Sequence, residues 1–181
     1  MKTLLILLTG FMLNGIFPKD ALTTVEGKPV ILKPSEKNKA TVFIFLSPEC
    51  PLCQSYSLTL NNLNKAYHSK GVQMIGVIPG NDFRPEEVRS FKKKYRISFP
   101  VYMDKQGKLA GYFKAQITPE VFVIDNSDQL RYTGRIDNWA YELGKKRSVI
   151  TAHDLKDALS ALVINKPIRV TKTKAIGCFI E

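Results

Sequence analysis

Residues 41–56 read TVFIFLSPECPLCQSY, and this stretch decides the fold. From Thr41 to Ser47 the chain is β-branched, aromatic and apolar, with no polar alternation. A strand covered on both faces has this pattern, as inside a parallel or mixed sheet. Cys50-Pro51-Leu52-Cys53 follows at once. Beyond it Tyr56, Leu60, Leu63 and Tyr67 recur at helical spacing, which predicts a helix from Gln54 to Ser69 with one apolar stripe. Gly71 stands where such a helix would end. The two cysteines therefore lie where a buried strand hands over to a helix.

Reading outward, Val72–Ile78 is a second buried strand and Pro79-Gly80-Asn81 a turn. Pro85 opens a helix that runs to about Tyr95, with Glu86 and Glu87 in its first turn and lysines in its last, which suits the helix dipole. Pro100–Met103 is short and extended, Asp104–Gly107 a turn, and Leu109–Phe113 a short helix. Ile117-Thr118-Pro119 breaks the chain. Val121–Asp125 and Leu130–Thr133 form a hairpin, and Asp154–Val163 is the closing helix. Upstream, Val30–Leu32 is a short strand limited by Pro29 and Pro34. Early strands alternate with helices and the last two are adjacent. This order predicts an α/β sandwich, a central mixed sheet flanked by helices.

The chain has 181 residues, 44% of them hydrophobic, enough for one domain with a real core. Its net charge of +11 comes from dispersed lysines. With no recognisable binding module, that surface reads as solvated and not as a nucleic-acid site. The opening MKTLLILLTGFMLNGIF has one lysine and then a short, interrupted apolar run. It reads as a signal peptide within residues 1–20 and is too short for a membrane span, which needs about 20 apolar residues. This places the protein in a periplasmic or otherwise extracytoplasmic compartment, with membrane contact only if the leader is retained. No cysteine follows the run, so no lipid anchor is expected. Residues 21–164 form the predicted domain, and 165–181 a tail carrying Cys178.

Three cysteines are too few for a disulfide-stapled scaffold. At a helix N-terminus, unpaired backbone N–H groups and the positive dipole end favour a thiolate at Cys50. The thiolate is the nucleophile of disulfide exchange. Two intervening residues let Cys53 reach Cys50 and resolve a mixed disulfide. Cys50 is therefore expected to be the exposed, more acidic thiol. Zinc would need further ligands at ligand spacing, and none occurs. A copper site at Cys50, Cys53 and His153 and an inert structural disulfide stay open as alternatives. No metal or cofactor is assigned.

FLSPECPLCQSY, followed far downstream by ITPEVFVID, resembles the redoxin branch of the thioredoxin-like superfamily. That branch includes extracytoplasmic thiol–disulfide oxidoreductases and peroxiredoxins. The resemblance implies a thioredoxin-like fold, thiol and disulfide substrates, and a redox partner protein. It also implies a cis Thr118-Pro119 bond beside the cysteines. Thr118 and Pro119 are then the substrate-binding residues, their backbone edge pairing with an extended substrate segment.

Departures from the family pattern are visible. Glu49 stands where thioredoxins commonly carry tryptophan, and a carboxylate close to Cys50 would raise its pKa. The buried acid of the thioredoxin strand is missing from TVFIFL. The peroxiredoxin pattern is matched by Ser47 but not by Phe43, which replaces its proline. Arg131 and Arg135 are the candidates to polarise a peroxide. TKAIGCFIE resembles the ends of some redoxin-domain proteins. Gly177 there leaves the backbone free to bring Cys178 near another group. Cys178 is thus a further redox thiol, as in two-cysteine peroxiredoxins, or an apolar tail residue. Closing a loop across the whole chain costs entropy, so Cys53 is expected to serve Cys50 without it. Trp139, Tyr141 and His68 read as structural or surface residues, and Asp104 as turn chemistry.

Overall fold

The structure is a computed structural model, and it describes residues 17–32 and 38–181. The leader reading falls mostly on residues 1–16, outside the described residues. Ala40–Phe45 (β3) lies inside a seven-stranded sheet. It pairs in parallel with Val72–Pro79 (β4) and antiparallel with Glu120–Asp125 (β7). The other strands are Leu22–Thr23 (β1), Pro29–Val30 (β2), Val101–Asp104 (β5) and Leu130–Gly134 (β8). Their order across the sheet is β2-β1-β5-β4-β3-β7-β8. Two parallel pairings beside antiparallel ones make the sheet mixed, as the element order implies.

Both faces of β3 are covered, which explains its unbroken apolar run. Val42 and Ile44, with Leu46 just beyond, point to one face, and Phe43 and Phe45 to the other. The first face carries the helices Pro51–Tyr67 (α1) and Asp154–Val163 (α4). Cys53, Tyr56, Leu60, Leu63 and Tyr67 of α1 and Leu155, Ala158, Leu159 and Leu162 of α4 fill the core there. Val88 and Phe91 of the helix Pro85–Lys94 (α2) join it. The second face carries Lys108–Phe113 (α3), whose Phe113 stacks on Phe122 with centroids 4.7 Å apart. Phe43 and Phe17 extend this aromatic group. Each fully buried Leu or Phe contributes about 1.5–3 kcal/mol.

The helix ends follow local chemistry. Pro51 and Pro85 occupy first turns, where no backbone donor is needed. The Arg84 N–H donates to the Glu87 carboxylate at 2.7 Å, closing the N-terminus of α2. A 3-10 turn over His68–Lys70 finishes α1, and Gly71 then takes φ +84°. Asp104 is buried, and one of its carboxylate oxygens accepts the Ala110 N–H at 2.8 Å, tying β5 to α3.

Two short pairings carry too little periodicity to be read beforehand. Ala140–Glu142 (β9) and Lys145–Lys146 (β10) form a small hairpin. Ile117–Thr118 (β6) pairs with Cys178–Phe179 (β11) in the tail. The tail is anchored upstream as well. The Thr133 N–H donates to the Thr171 carbonyl at 3.0 Å, and the Thr173 N–H returns to the Thr133 carbonyl at 2.9 Å. The Thr173 hydroxyl lies 2.7 Å from that of Tyr132. Gly134, at φ +130°, lies so close to Thr173 that a β-carbon would strike its carbonyl. The tail therefore follows the domain surface along two strand edges. At the other end Phe17 is buried, and the Lys19 carbonyl accepts the Leu32 N–H at 2.8 Å.

Candidate active site

Cys50 is the N-cap residue of α1 and Pro51 its first helical residue. The Cys50 carbonyl accepts the Gln54 N–H at 3.1 Å, so the helix starts at the cysteine itself. Cys53 is inside the first turn and fully buried. Its sulfur accepts the Ser47 N–H at 3.4 Å, and its carbonyl accepts the Ser57 hydroxyl at 2.9 Å. The end of β3 thus grips the second thiol while the helix presents the first.

Thr118-Pro119 is cis, and Thr118 is brought against the cysteines. The Cys50 sulfur lies 3.1 Å from the Thr118 carbonyl oxygen. Cys50 is nonetheless only 2% exposed, which corrects the expectation of an exposed thiol. The tail covers it. In the antiparallel β6–β11 pair, Cys178 stands opposite Thr118 and Phe179 opposite Ile117. The Thr118 hydroxyl donates to the Cys178 carbonyl at 3.4 Å, and the Ile180 N–H to the Gln116 carbonyl at 2.9 Å. The Cys178 thiol donates to the Cys50 sulfur at 2.7 Å. Any side chain at position 177 would run into the Thr118 carbonyl, so Gly177 is what lets the two backbones meet.

These contacts divide the three thiols. The Cys53 thiol donates to Cys50, Cys178 adds a second donor, and the Cys50 pKa falls to about 5. Burial opposes that shift and is outweighed. Burial pushes Cys53 well up, and the neighbouring Cys50 thiolate adds to it. Cys178 is pushed up to about 12, by burial first and then by its bond to Cys50 and that charge. One thiolate is thus held by two thiols. Glu49 is exposed, where solvent screens its charge.

A cleft of 340 Å³ opens on the site, lined by Ser47, Cys50, Thr118 and Cys178 and rimmed by Glu49, Asp82 and Glu181. Among the described residues no arginine or lysine lines it. The two arginines expected to polarise a peroxide are engaged elsewhere. Arg131 pairs with Asp125 at 2.9 Å and Arg135 with Asp154 at 2.8 Å. His153 is exposed at the start of α4 and does not line the cleft. Among the described residues no group of three or more His, Cys, Asp or Glu is arranged to hold a metal ion. Trp139 packs edge-on against Tyr56, whose hydroxyl donates to the buried Asp137 at 2.7 Å.

The Redoxin family model matches residues 14–144, which include Cys50, Cys53, Thr118 and Pro119. The chain belongs to the redoxin family. The redoxin is 31% identical over 113 residues to thiol-disulfide oxidoreductase ResA of Bacillus cereus, covering 62% of this chain and 64% of that one. The match therefore spans less than two thirds of that relative's length. Sporulation thiol-disulfide oxidoreductase A of Bacillus subtilis is 21% identical over 113 residues, covering 62% and 67%. Among solved structures, an uncharacterized conserved protein of Geobacillus kaustophilus superposes with a TM-score of 0.78 at 25% identity, covering 94% of this redoxin and 92% of that chain. A hypothetical protein of Sinorhizobium meliloti gives 0.77 at 25% identity, covering 88% of each chain.

The structure brings together the cysteine pair and the Thr118-Pro119 corner, which the sequence reading expected to be neighbours. The contribution of the Ser47 amide was not legible, because a backbone donor leaves no mark on residue type. Asp82 carries no periodic or motif signal either. Gly177 and the Gly-Cys ending of the tail were the signs of a close approach.

Proposed function

We propose that this redoxin is a thiol–disulfide oxidoreductase in which Cys50 attacks and Cys53 resolves. The observation that carries the reading is the split of the pair at the start of α1. Cys50 is held as a thiolate near pKa 5, while Cys53 is kept protonated by burial. The thiolate attacks one sulfur of a substrate disulfide, and the other sulfur leaves as a thiolate. Cys53 then gives up its proton to the departing substrate sulfur and attacks Cys50. The Cys50–Cys53 disulfide forms and the second substrate thiol is released. The reverse sequence oxidises a dithiol. The names of the ResA and sporulation relatives agree with this reading.

The compartment follows from the first residues. In this reading the leader within residues 1–20 directs the chain out of the cytoplasm, and Phe17 near its end packs on Phe43 and Phe113. Among the described residues no helix is long and apolar enough to cross a membrane. A peroxidase reading finds no cation among the described residues that line the cleft. The test is catalysed reduction of insulin by dithiothreitol. Wild-type protein should accelerate it, Cys50→Ala should not, and the double variant Cys53→Ala, Cys178→Ala should accumulate mixed disulfides. Full activity of Cys50→Ala would overturn the proposal.

A further inference from the structure

The backbone edge of Thr118 should be open to an extended substrate, but this chain fills it with its own residues. β11 lies on β6 in antiparallel register, as a peptide adding to a sheet edge would. The residue opposite Thr118 is a cysteine, and its sulfur is 2.7 Å from Cys50. A disulfide bond is about 2.05 Å long, so bridging needs only a small shift. Cys50 and Cys53 are shielded, at 2% and 0% exposure, whereas Cys178 is partly exposed. Of the three cysteines, Cys178 is the residue most exposed to solvent.

We propose that β11 is a tethered substrate strand and that Cys178 is a third catalytic thiol, through which the buried Cys50–Cys53 pair exchanges electrons with external dithiols. The inference rests on the dithiol reading above. Starting from oxidised Cys50–Cys53, the Cys178 thiolate attacks the Cys50 sulfur. A Cys50–Cys178 bond forms, the Cys50–Cys53 bond breaks, and Cys53 leaves as a thiolate that takes up a proton. An external dithiol then attacks Cys178 and releases the Cys50 thiolate. Its second thiol closes the external disulfide and frees Cys178. Two electrons pass from the external dithiol to the Cys50–Cys53 pair, and the protein ends with three thiols. Run backwards, the same steps reduce an external disulfide.

The test uses full-length protein equilibrated with glutathione and glutathione disulfide, quenched and mapped as peptides by mass spectrometry. Wild-type protein should contain Cys50–Cys178 alongside Cys50–Cys53, and Cys53→Ala should hold mainly Cys50–Cys178. Reduction of the Cys50–Cys53 bond by dithiothreitol should slow roughly tenfold or more in Cys178→Ala, because it then waits on local opening of the tail. Adding Gly177→Val, which drives a side chain into the Thr118 carbonyl, should lift the strand and restore the rate. The inference is overturned if Cys178→Ala is reduced as fast as wild type. It is equally overturned if Cys53→Ala carries glutathione on Cys50 in place of the Cys178 bridge. Failure of the dithiol reading looks different: Cys178→Ala would then form no Cys50–Cys53 bond at all.

Discussion

Cys178 and Cys50 are 128 positions apart in the chain, yet their sulfurs are 2.7 Å apart. Loop-closure entropy argues against such a contact only for an unfolded chain. Here the closure accompanies folding, because Thr171 and Thr173 bind Thr133 and the strand lies on Thr118.

Lifting the strand should expose Cys50. Gly177→Val places a side chain against the Thr118 carbonyl. Alkylation of Cys50 at neutral pH should then speed up about tenfold, the effect of an opening made about 1.4 kcal/mol easier. Mass-spectrometric labelling rates check this, and an unchanged rate would mean that the tail does not shield the site.

The thiolate should titrate in a recognisable order. Ultraviolet absorbance of the reduced protein should show one thiolate with a midpoint near pH 5, the other two ionising only above the ordinary thiol value. Cys53→Ala should raise that midpoint more than Cys178→Ala, because the Cys53 bond is the larger influence. The same shift appears in stability. A Cys50 pKa lowered from 9 to about 5 stabilises the reduced fold fully above pH 9 and not at all below pH 5. The raised values of Cys53 and Cys178 act in the opposite sense, so their contribution is lost as the pH climbs beyond 9. Urea unfolding of wild type and Cys50→Ala across this range should differ most near pH 9 and converge near pH 5.

Phe113 supports the sheet from the face opposite α1. Phe113→Ala should destabilise the protein by about 3–5 kcal/mol while leaving the Cys50 midpoint in place. Denaturant unfolding paired with thiolate titration checks this, and a moved midpoint would show that the two sheet faces are coupled.

Phe17 belongs to the folded core. If the chain is exported as proposed, its mature form should therefore begin at or before Phe17, as N-terminal sequencing of the processed protein would read it. A start beyond Phe17 should come with a lower melting temperature.

The legible parts of this molecule are those with period. The strand Thr41–Ser47, the stripe Tyr56-Leu60-Leu63-Tyr67 and the helix Asp154–Val163 each bury a face, and burial imposes spacing. Cys50 and Cys53 were legible because their chemistry requires their position. β11 was not. It is two residues long, its partner Thr118 is 60 positions away, and a strand that short has no alternation to read. The shielding of Cys50 was hidden for the same reason, since burial by a distant segment leaves no trace in neighbouring residues.

A tethered strand has a consequence for partner choice. Because β11 belongs to the same molecule, the Thr118 edge meets it at an effective concentration on the order of millimolar or above. A protein offering its own extended segment competes with that ever-present occupant, and weak or unshaped peptides lose. In the exchange proposed above the tail would act as a filter, leaving small dithiols to work at Cys178 and reserving the edge itself for clients that bind well enough to displace it.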